Sequence, residues 1–270
     1  MAGLIALLVG MALSGWELSR NEISLEWKPL AIAGILGFVS LFLAMIRFRI
    51  LAAGIGQYVT FRQAASVVVW GGIANILPLP GAFMVRVGYL SRTGGLKRAS
   101  LVNMMGLAVW FLMAAVVALV LALQASDSRV TQFLTVVLAA SGTAMLVLRY
   151  AADSGYREIF WLAIVQSVMI IVSILRLALV AMALGSVLPL LWVSLIALSG
   201  IAASATGVFP AGLGLSETLA ASVAVIGGLS PALAFMMSAL NRFLSWLALL
   251  LFLPFVTRPN ALGEAGEASS

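Results

Sequence analysis

Four ionisable residues lie within apolar stretches of the sequence, where burying a charge is costly and usually serves a function. They are Arg86, Arg176, Glu217 and Arg242. Glu217 follows a segment rich in helix breakers, so we expect it in the first turn of a helix. It would act there as an N-terminal stabiliser or as a charge that gates a cavity. Arg242 lies in the middle of an apolar run, and two opposite buried charges cost less together than apart, so we predict that both share one buried site.

The other two arginines have simpler explanations. Arg176 lies nearer to the end of its run, where snorkelling to the lipid headgroups would explain it, or it could join the site of Glu217 and Arg242. Arg86 could be a positively charged anchor at the cytoplasmic surface. A cavity in which Arg86, Arg176 and Arg242 outnumber Glu217 would instead suit a phosphate-bearing anion, because arginine forms bidentate hydrogen bonds with phosphate.

The composition excludes several kinds of site. The sequence has no histidine and no cysteine, which removes the usual thiolate and imidazole metal ligands, Ser–His and Cys–His nucleophiles, and disulfides. Asp127 and Asp153 both lie in polar breaks, so no intramembrane aspartyl pair is available. We therefore expect no enzyme activity, no metal and no cofactor. The net charge of +6 indicates topology and contact with anionic membrane lipids, and we expect no nucleic-acid partner.

The apolar content predicts a membrane protein with several spans. Of the 270 residues, 63% are hydrophobic and 9% are charged, whereas a soluble domain carries about 25% charged residues. Runs that approach the roughly 20 residues needed to cross a bilayer are residues 30–46, 99–123, 130–148, 159–184 and 231–255, with a shorter one at 2–16. The run 2–16 could be a signal peptide, but it lacks a basic segment, and we favour a retained span. Residues 259–270 are expected to be a disordered cytoplasmic tail.

Positive charges predict the orientation of the spans. The loop 17–28 is net acidic and should lie outside, whereas the gaps at 47–62 and 86–98 are basic and should both be cytoplasmic. A single crossing between these two gaps would separate them, so we predict that residues 62–90 form a re-entrant hairpin. Its helix-breaking residues are Pro78, Pro80 and Gly81. Both termini are then expected in the cytoplasm.

A second interrupted stretch resembles the first. It spans residues 189–226 and is broken at Pro210, Gly212 and Gly214. Two short motifs recur at offsets near 130 residues. One is Gly71-Gly72-Ile73-Ala74 before Pro80, which resembles Ser199-Gly200-Ile201-Ala202 before Pro210. The other is Gly94-Gly95-Leu96, which resembles Gly227-Gly228-Leu229. Because each half has three full spans, an odd number, the second half would be inverted. Residues 190–209 are also long enough to cross the membrane, so two complete spans are an alternative to the second hairpin.

These features predict the fold class and the place of a binding site. We expect an all-α polytopic membrane protein with one transmembrane domain, residues 1–258. It would contain two inverted repeats, 1–128 and 129–258, each with three transmembrane helices and a broken re-entrant hairpin. Paired interrupted segments in corresponding positions indicate the binding site of a transporter.

The same motifs resemble a known family. The segment 209–217, Phe-Pro-Ala-Gly-Leu-Gly-Leu-Ser-Glu, together with 239–242, Ala-Leu-Asn-Arg, resembles a signature of the lysylphosphatidylglycerol synthase transmembrane-region family. Residues 75–82, with Arg86 beyond, resemble its first-half signature. The resemblance covers about residues 29–255. Ala82 stands where members often have glutamate, and the neutral segment 103–106 replaces acidic residues, so both changes remove partners for buried arginines.

The resemblance implies a flippase-like protein of the bacterial inner membrane that handles lipids with anionic or aminoacylated headgroups. These residues include no cytoplasmic aminoacyltransferase domain, so the synthase activity is not expected. Our leading hypothesis is translocation of an anionic phospholipid or a polyprenyl-phosphate-linked intermediate. The alternative is a non-transporting scaffold or regulatory partner of an enzyme of envelope lipid or glycan synthesis.

Overall fold

A computed structural model describes residues 25–75, 81–124, 128–152, 155–205 and 214–256, together with Ala12, Ser14 and Trp16. All regular structure in these ranges is helical. The helices are α1 (Trp27–Ala53), α2 (Phe61–Ala74), α3 (Gly81–Gln124), α4 (Ser128–Ala152), α5 (Tyr156–Ala183), α6 (Leu190–Ala205), α7 (Leu215–Ile226) and α8 (Pro231–Phe252), followed by a 3₁₀ turn at Leu253–Phe255. The predictions for most of residues 2–16, for the breaks at Pro78, Pro80, Pro210 and Gly212, and for the tail 259–270 lie outside the described residues.

Four helices of the described chain are long and apolar enough to cross a membrane. They are α1, α3, α5 and α8 with its 3₁₀ turn. The prediction of an all-α membrane protein is therefore confirmed. The helix α4 has 25 residues, but its apolar part is Thr135–Arg149, which is shorter than the roughly 20 residues that a span needs. The span at 130–148 stays a prediction.

The predicted span at 30–46 is longer in the structure than in the sequence pattern. The apolar run ends at residue 46, but α1 continues to Ala53. Arg47 therefore lies within a helix and is buried, so its placement in a cytoplasmic gap was wrong. The helix continues because its backbone hydrogen bonds are satisfied internally, while the arginine finds contacts on neighbouring helices.

The first hairpin consists of α2 and the beginning of α3. A reciprocal pair of hydrogen bonds between Thr60 and Gln63 caps the start of α2. At its end, the Asn75 side chain accepts a hydrogen bond of 3.4 Å from the Ala82 backbone N–H, which ties the two arms together. A Cβ atom on Gly81 would overlap the Ala74 carbonyl, so the arms approach this closely only with glycine.

The predicted basic gap at 86–98 is helical in the structure. The helix α3 runs through it and is interrupted by a kink at Gly95, whose φ of 73° is the left-handed conformation that favours glycine. Residues 81–94 thus form the returning arm, and residues 96–124 form the following span.

The second interrupted stretch contains α6 and α7, and residues 206–213 between them lie outside the described residues. At 1.5 Å per residue, the 12 residues of α7 extend about 18 Å, which is less than the hydrocarbon core of about 30 Å. The choice between a broken hairpin and two complete spans stays a prediction.

The helices α1 and α5 are antiparallel neighbours. At one end, the Glu26 backbone N–H donates a 2.8 Å hydrogen bond to the Ala183 carbonyl. At the other end, a cavity of about 360 Å³ is lined by Ile50 and Tyr58 at the end of α1 and by Arg157 at the start of α5. The predicted orientation puts residues 17–28 and 185–188 outside and residues 47–62 and 149–158 in the cytoplasm. Segments assigned to the same side of the membrane therefore lie at the same end of the molecule.

The turn that ends α1 recurs 129 residues later at the end of α5. Gly56 and Gly185 both have a positive φ, of 77° and 70°. In both turns, a backbone N–H bonds to the carbonyl five residues earlier, at 3.0 Å. These bonds are Gln57 to Ala52 and Ser186 to Ala181. Equivalent turns thus end two helices that run in opposite directions.

Candidate functional site

Glu217 occupies the first turn of α7, as the sequence predicts. Gly214 precedes the helix with a φ of 78°, a conformation that favours glycine, and its backbone N–H donates a 2.9 Å hydrogen bond to Glu217 Oε2. The Glu217 residue is 0% exposed. The carboxylate therefore stabilises the start of the helix, both by accepting from a backbone N–H that has no partner within the helix and by its charge.

The second carboxylate oxygen of Glu217 faces Arg242 of α8. Arg242 Nε lies 3.0 Å from Glu217 Oε1, and the Arg242 side chain is 13% exposed. The predicted pairing of these two residues is confirmed. Glu217 makes the contacts of both predicted roles: one carboxylate oxygen caps α7, and the other pairs with Arg242.

The Arg176 side chain lies in the interior of the protein and does not extend to the surface, as snorkelling would require. The residue is 5% exposed, so the interpretation as a headgroup contact was wrong. Its Nη2 donates to the Asn241 carbonyl at 2.8 Å and to Ser245 Oγ at 2.7 Å, and its Nη1 donates to Ser40 Oγ at 3.4 Å. Arg176 of α5 therefore links α1 to α8 beside Arg242, through neutral oxygen atoms.

A second arginine in the interior, Arg47 of α1, was not identified as a site residue by the sequence. It is 8% exposed, and its Nη2 is 3.4 Å from the Gly106 carbonyl of α3, which is long for an N–H···O hydrogen bond. The same carbonyl accepts a 2.8 Å hydrogen bond from Gln166 Nε2 of α5. The Arg47 guanidinium also lies over the ring of Trp110, with Cζ 4.9 Å from the centroid.

Arg86 lies close enough to Arg47 for the two positive charges to repel. Arg86 is half-buried, and its Nε is buried without a hydrogen-bond partner among the described residues. This burial does not support its interpretation as a surface anchor. Gly106, which contacts Arg47, belongs to the neutral segment 103–106 noted in the sequence.

One sequence signal could have identified Arg47. It precedes Arg176 by 129 residues, the same offset that relates the turns ending α1 and α5. The structure gives the two arginines similar surroundings, because each reaches a backbone carbonyl of the last long helix of its half, Gly106 or Asn241.

The described site residues thus form two groups. Glu217, Arg242 and Arg176 surround the start of α7 and the middle of α8, whereas Arg47 and Arg86 lie between α1 and α3. Among the described residues, no cluster of histidine, cysteine, aspartate or glutamate could hold a metal ion. The arrangement can bind negatively charged groups, because guanidinium donors are its main polar feature.

No protein-family model matches this sequence, and no curated protein matches it either. The resemblance to the lysylphosphatidylglycerol synthase transmembrane-region family therefore stays a prediction.

Proposed function

We propose that this chain is a flippase-like membrane protein that translocates an anionic phospholipid or a polyprenyl-phosphate-linked intermediate. The observation that carries the proposal is the excess of positive charge in its interior. Arg47, Arg86, Arg176 and Arg242 are buried or half-buried, whereas Glu217 is the one buried carboxylate of the described chain. Such an interior attracts anions and opposes the passage of cations.

The translocation route we propose lies between two inverted repeats with broken hairpins. The recurrence of the turn at Gly56 and Gly185, and of a positive φ at Gly95 and Gly228, supports a structural repeat. The antiparallel course of α1 and α5 supports its inversion. Broken helices near the membrane midplane line the binding sites of several transporters, where half-helix N-termini face anionic groups.

In this mechanism the acyl chains stay in the bilayer while the headgroup moves along the arginines. The phosphate would compete with Glu217 for Arg242, so that the ion pair closes the route in the absence of lipid. Arg86 and Arg176 would provide further charge-assisted hydrogen bonds that replace water around the phosphate. Rocking of one repeat against the other would expose the route to each leaflet in turn.

The family resemblance is the basis for a further part of the proposal, which is that the protein lies in the bacterial inner membrane. It involves no chemistry on the lipid, in keeping with a sequence that has neither histidine nor cysteine. A scaffold for an envelope-synthesis enzyme would need no route for a headgroup, so transport itself distinguishes the two hypotheses.

Reconstituted liposomes test this function. Labelled phosphatidylglycerol, phosphatidic acid and a polyprenyl phosphate should move between leaflets faster than in protein-free vesicles, whereas a labelled neutral diacylglycerol should move at the protein-free rate. The variant Arg62→Gln removes an exposed charge on α2 and should transport like the unmodified protein. If none of the anionic lipids moves faster than in empty vesicles, the translocase hypothesis is wrong and the scaffold hypothesis remains.

A further inference from the structure

We propose that Arg47 and Arg86, together with Trp110 and Gln166, form a phosphate-binding site between α1, α3 and α5. This inference deepens the proposed function and rests on it for the choice of a lipid phosphate as the ligand. Arg47 was not among the residues that the sequence indicated, and its site is separate from the ion pair of Glu217 and Arg242.

Several buried polar atoms in this region have no partner among the described residues. Arg47 Nε, Arg86 Nε and Trp110 Nε1 are buried donors without a hydrogen-bond partner among the described residues, and Gln166 Oε1 is an acceptor in the same condition. Leaving a buried polar group without a partner is unfavourable, and more so when the group is charged. Arg47 and Gln166 share the Gly106 carbonyl and the Arg47 guanidinium lies over Trp110, so three of these atoms belong to one cluster that a ligand would complete.

The charge of this region also favours an anion. Arg47 and Arg86 are close enough to repel, and no carboxylate of the described chain lies within ion-pair distance of either guanidinium. Among the described residues, Arg47 contacts one acceptor, the Gly106 carbonyl, at a long distance and shared with Gln166. An anion bound to the Arg47 guanidinium would offset the repulsion from Arg86 and supply the missing acceptors.

Arg176, which occupies the related position in the second half, differs from Arg47 in its hydrogen bonds. Its two terminal nitrogens reach three neutral oxygen atoms, on Ser40, Asn241 and Ser245. The protein itself therefore binds the terminal nitrogens of Arg176, whereas Arg47 keeps most of its hydrogen-bonding capacity. Arg47 therefore has more donors left for a ligand than Arg176, whose terminal nitrogens also link α1 to α8.

The chemistry of the unpartnered atoms describes the ligand. Two guanidinium groups and an indole N–H suit the oxygens of a phosphate monoester or diester, and the Gln166 amide oxygen suits a hydroxyl donor. Phosphatidylglycerol carries both groups in its headgroup. Gly106 allows α3 to pack closely against α1, because a Cβ at this position would lie 2.9 Å from Leu51 Cδ2.

Binding to the purified full-length chain in detergent tests the site without any transport. We would measure the Kd of dioctanoyl phosphatidylglycerol and of inorganic phosphate, with dioctanoylglycerol as a ligand that has the same tails and no phosphate. Arg47→Gln and Arg86→Gln should each weaken phosphatidylglycerol binding roughly tenfold to a hundredfold, as expected for charged hydrogen bonds. Arg62→Gln, which removes an exposed charge, should bind like the unmodified chain.

A second measurement separates loss of binding from loss of folding. Saturating ligand should raise the Tm of the unmodified chain and of Arg62→Gln, because a ligand stabilises the state that binds it. The Tm of folded Arg86→Gln and Arg47→Lys should rise less. Lysine keeps the charge but cannot form the bidentate contact.

The outcomes are distinct from those of the liposome assay. Phosphatidylglycerol binding that depends on Arg47 and Arg86 supports the site even if no lipid is translocated. Equal affinity for inorganic phosphate would support the site and overturn its assignment to a lipid. If folded Arg47→Gln and Arg86→Gln bind phosphatidylglycerol as tightly as Arg62→Gln does, the proposed site is wrong whether or not transport occurs.

Discussion

The role of an arginine inside a membrane protein depends on the atoms that surround its guanidinium group. Arg242 faces a carboxylate, Arg176 faces three neutral oxygens, and Arg47 faces one carbonyl at a long distance. Removing one member of a buried ion pair leaves an uncompensated charge, which costs far more than breaking an exposed pair. The three arginines should therefore respond differently to substitution.

The ion pair between Glu217 and Arg242 gives the first prediction at this scale. Arg242→Ala and Glu217→Ala should each lower the free energy of unfolding in detergent by roughly 3–5 kcal/mol, because each leaves the other charge buried without its partner. The double variant should lose less than the sum of the two single losses. Strict additivity would show that the two charges do not interact.

Glu217→Gln separates the two contacts of this side chain. The amide oxygen can still accept from the Gly214 N–H, so the cap survives while the ion pair is lost. The free energy of unfolding of this variant should exceed that of Glu217→Ala by about 0.5–2 kcal/mol, which is the usual contribution of an N-terminal cap. Ser222→Ala, at an exposed position of α7, is the matched control and should have little effect.

At the scale of helices, the close approach of the two arms determines the first hairpin. Asn75 and Ala82 are joined by a hydrogen bond, and Gly71 and Gly81 leave room for the opposing backbone. Such packing is typical of membrane helices, in which small residues allow van der Waals contact between backbones. The hairpin should therefore be more sensitive to added volume than to loss of polar groups.

Gly81→Ala and Gly88→Ala test this expectation on the same helix. A Cβ at Gly81 would overlap the backbone of Ala74, whereas a Cβ at Gly88 meets nothing within 4 Å. Gly81→Ala should destabilise the protein by about 1–3 kcal/mol, as overpacking usually does. Gly88→Ala should leave stability unchanged or raise it by up to about 1 kcal/mol, because alanine favours the helix. Equal thermal stability of the two variants would contradict the close packing.

The sequence predicts the helices better than it predicts the site. Hydropathy and the positions of proline and glycine indicate the long helices and both interrupted stretches, because these signals are local. The end of α1 is wrong in the sequence prediction, since an arginine was taken to end a span. Arg47 was missed because its contact with Gly106 joins residues 59 positions apart, and its burial depends on how α3 and α5 pack against α1.

At the scale of the whole molecule, the helix ends divide into two groups. Glu26 lies beside Ala183, and Tyr58 lies beside Arg157 at the opposite end of α1 and α5. The charge pattern puts the first group outside the cell and the second in the cytoplasm. The contacts give the relative arrangement of these ends, and labelling in cells would give the absolute one.

Single cysteine variants test the predicted orientation directly, because the sequence contains no cysteine. A cysteine at Ser186, in the turn that ends α5, should react in intact cells with a maleimide that does not cross the membrane. Cysteines at Tyr58 and Ser91 should react only after the membrane is opened. Tyr58 is fully exposed, so its protection in intact cells would reflect the membrane rather than burial. Reaction at Ser91 but not at Tyr58 in intact cells would put the ends of the first hairpin on opposite sides. That result would overturn both the re-entrant hairpin and the inverted repeat, because each requires α2 and the first arm of α3 to begin and end on one side.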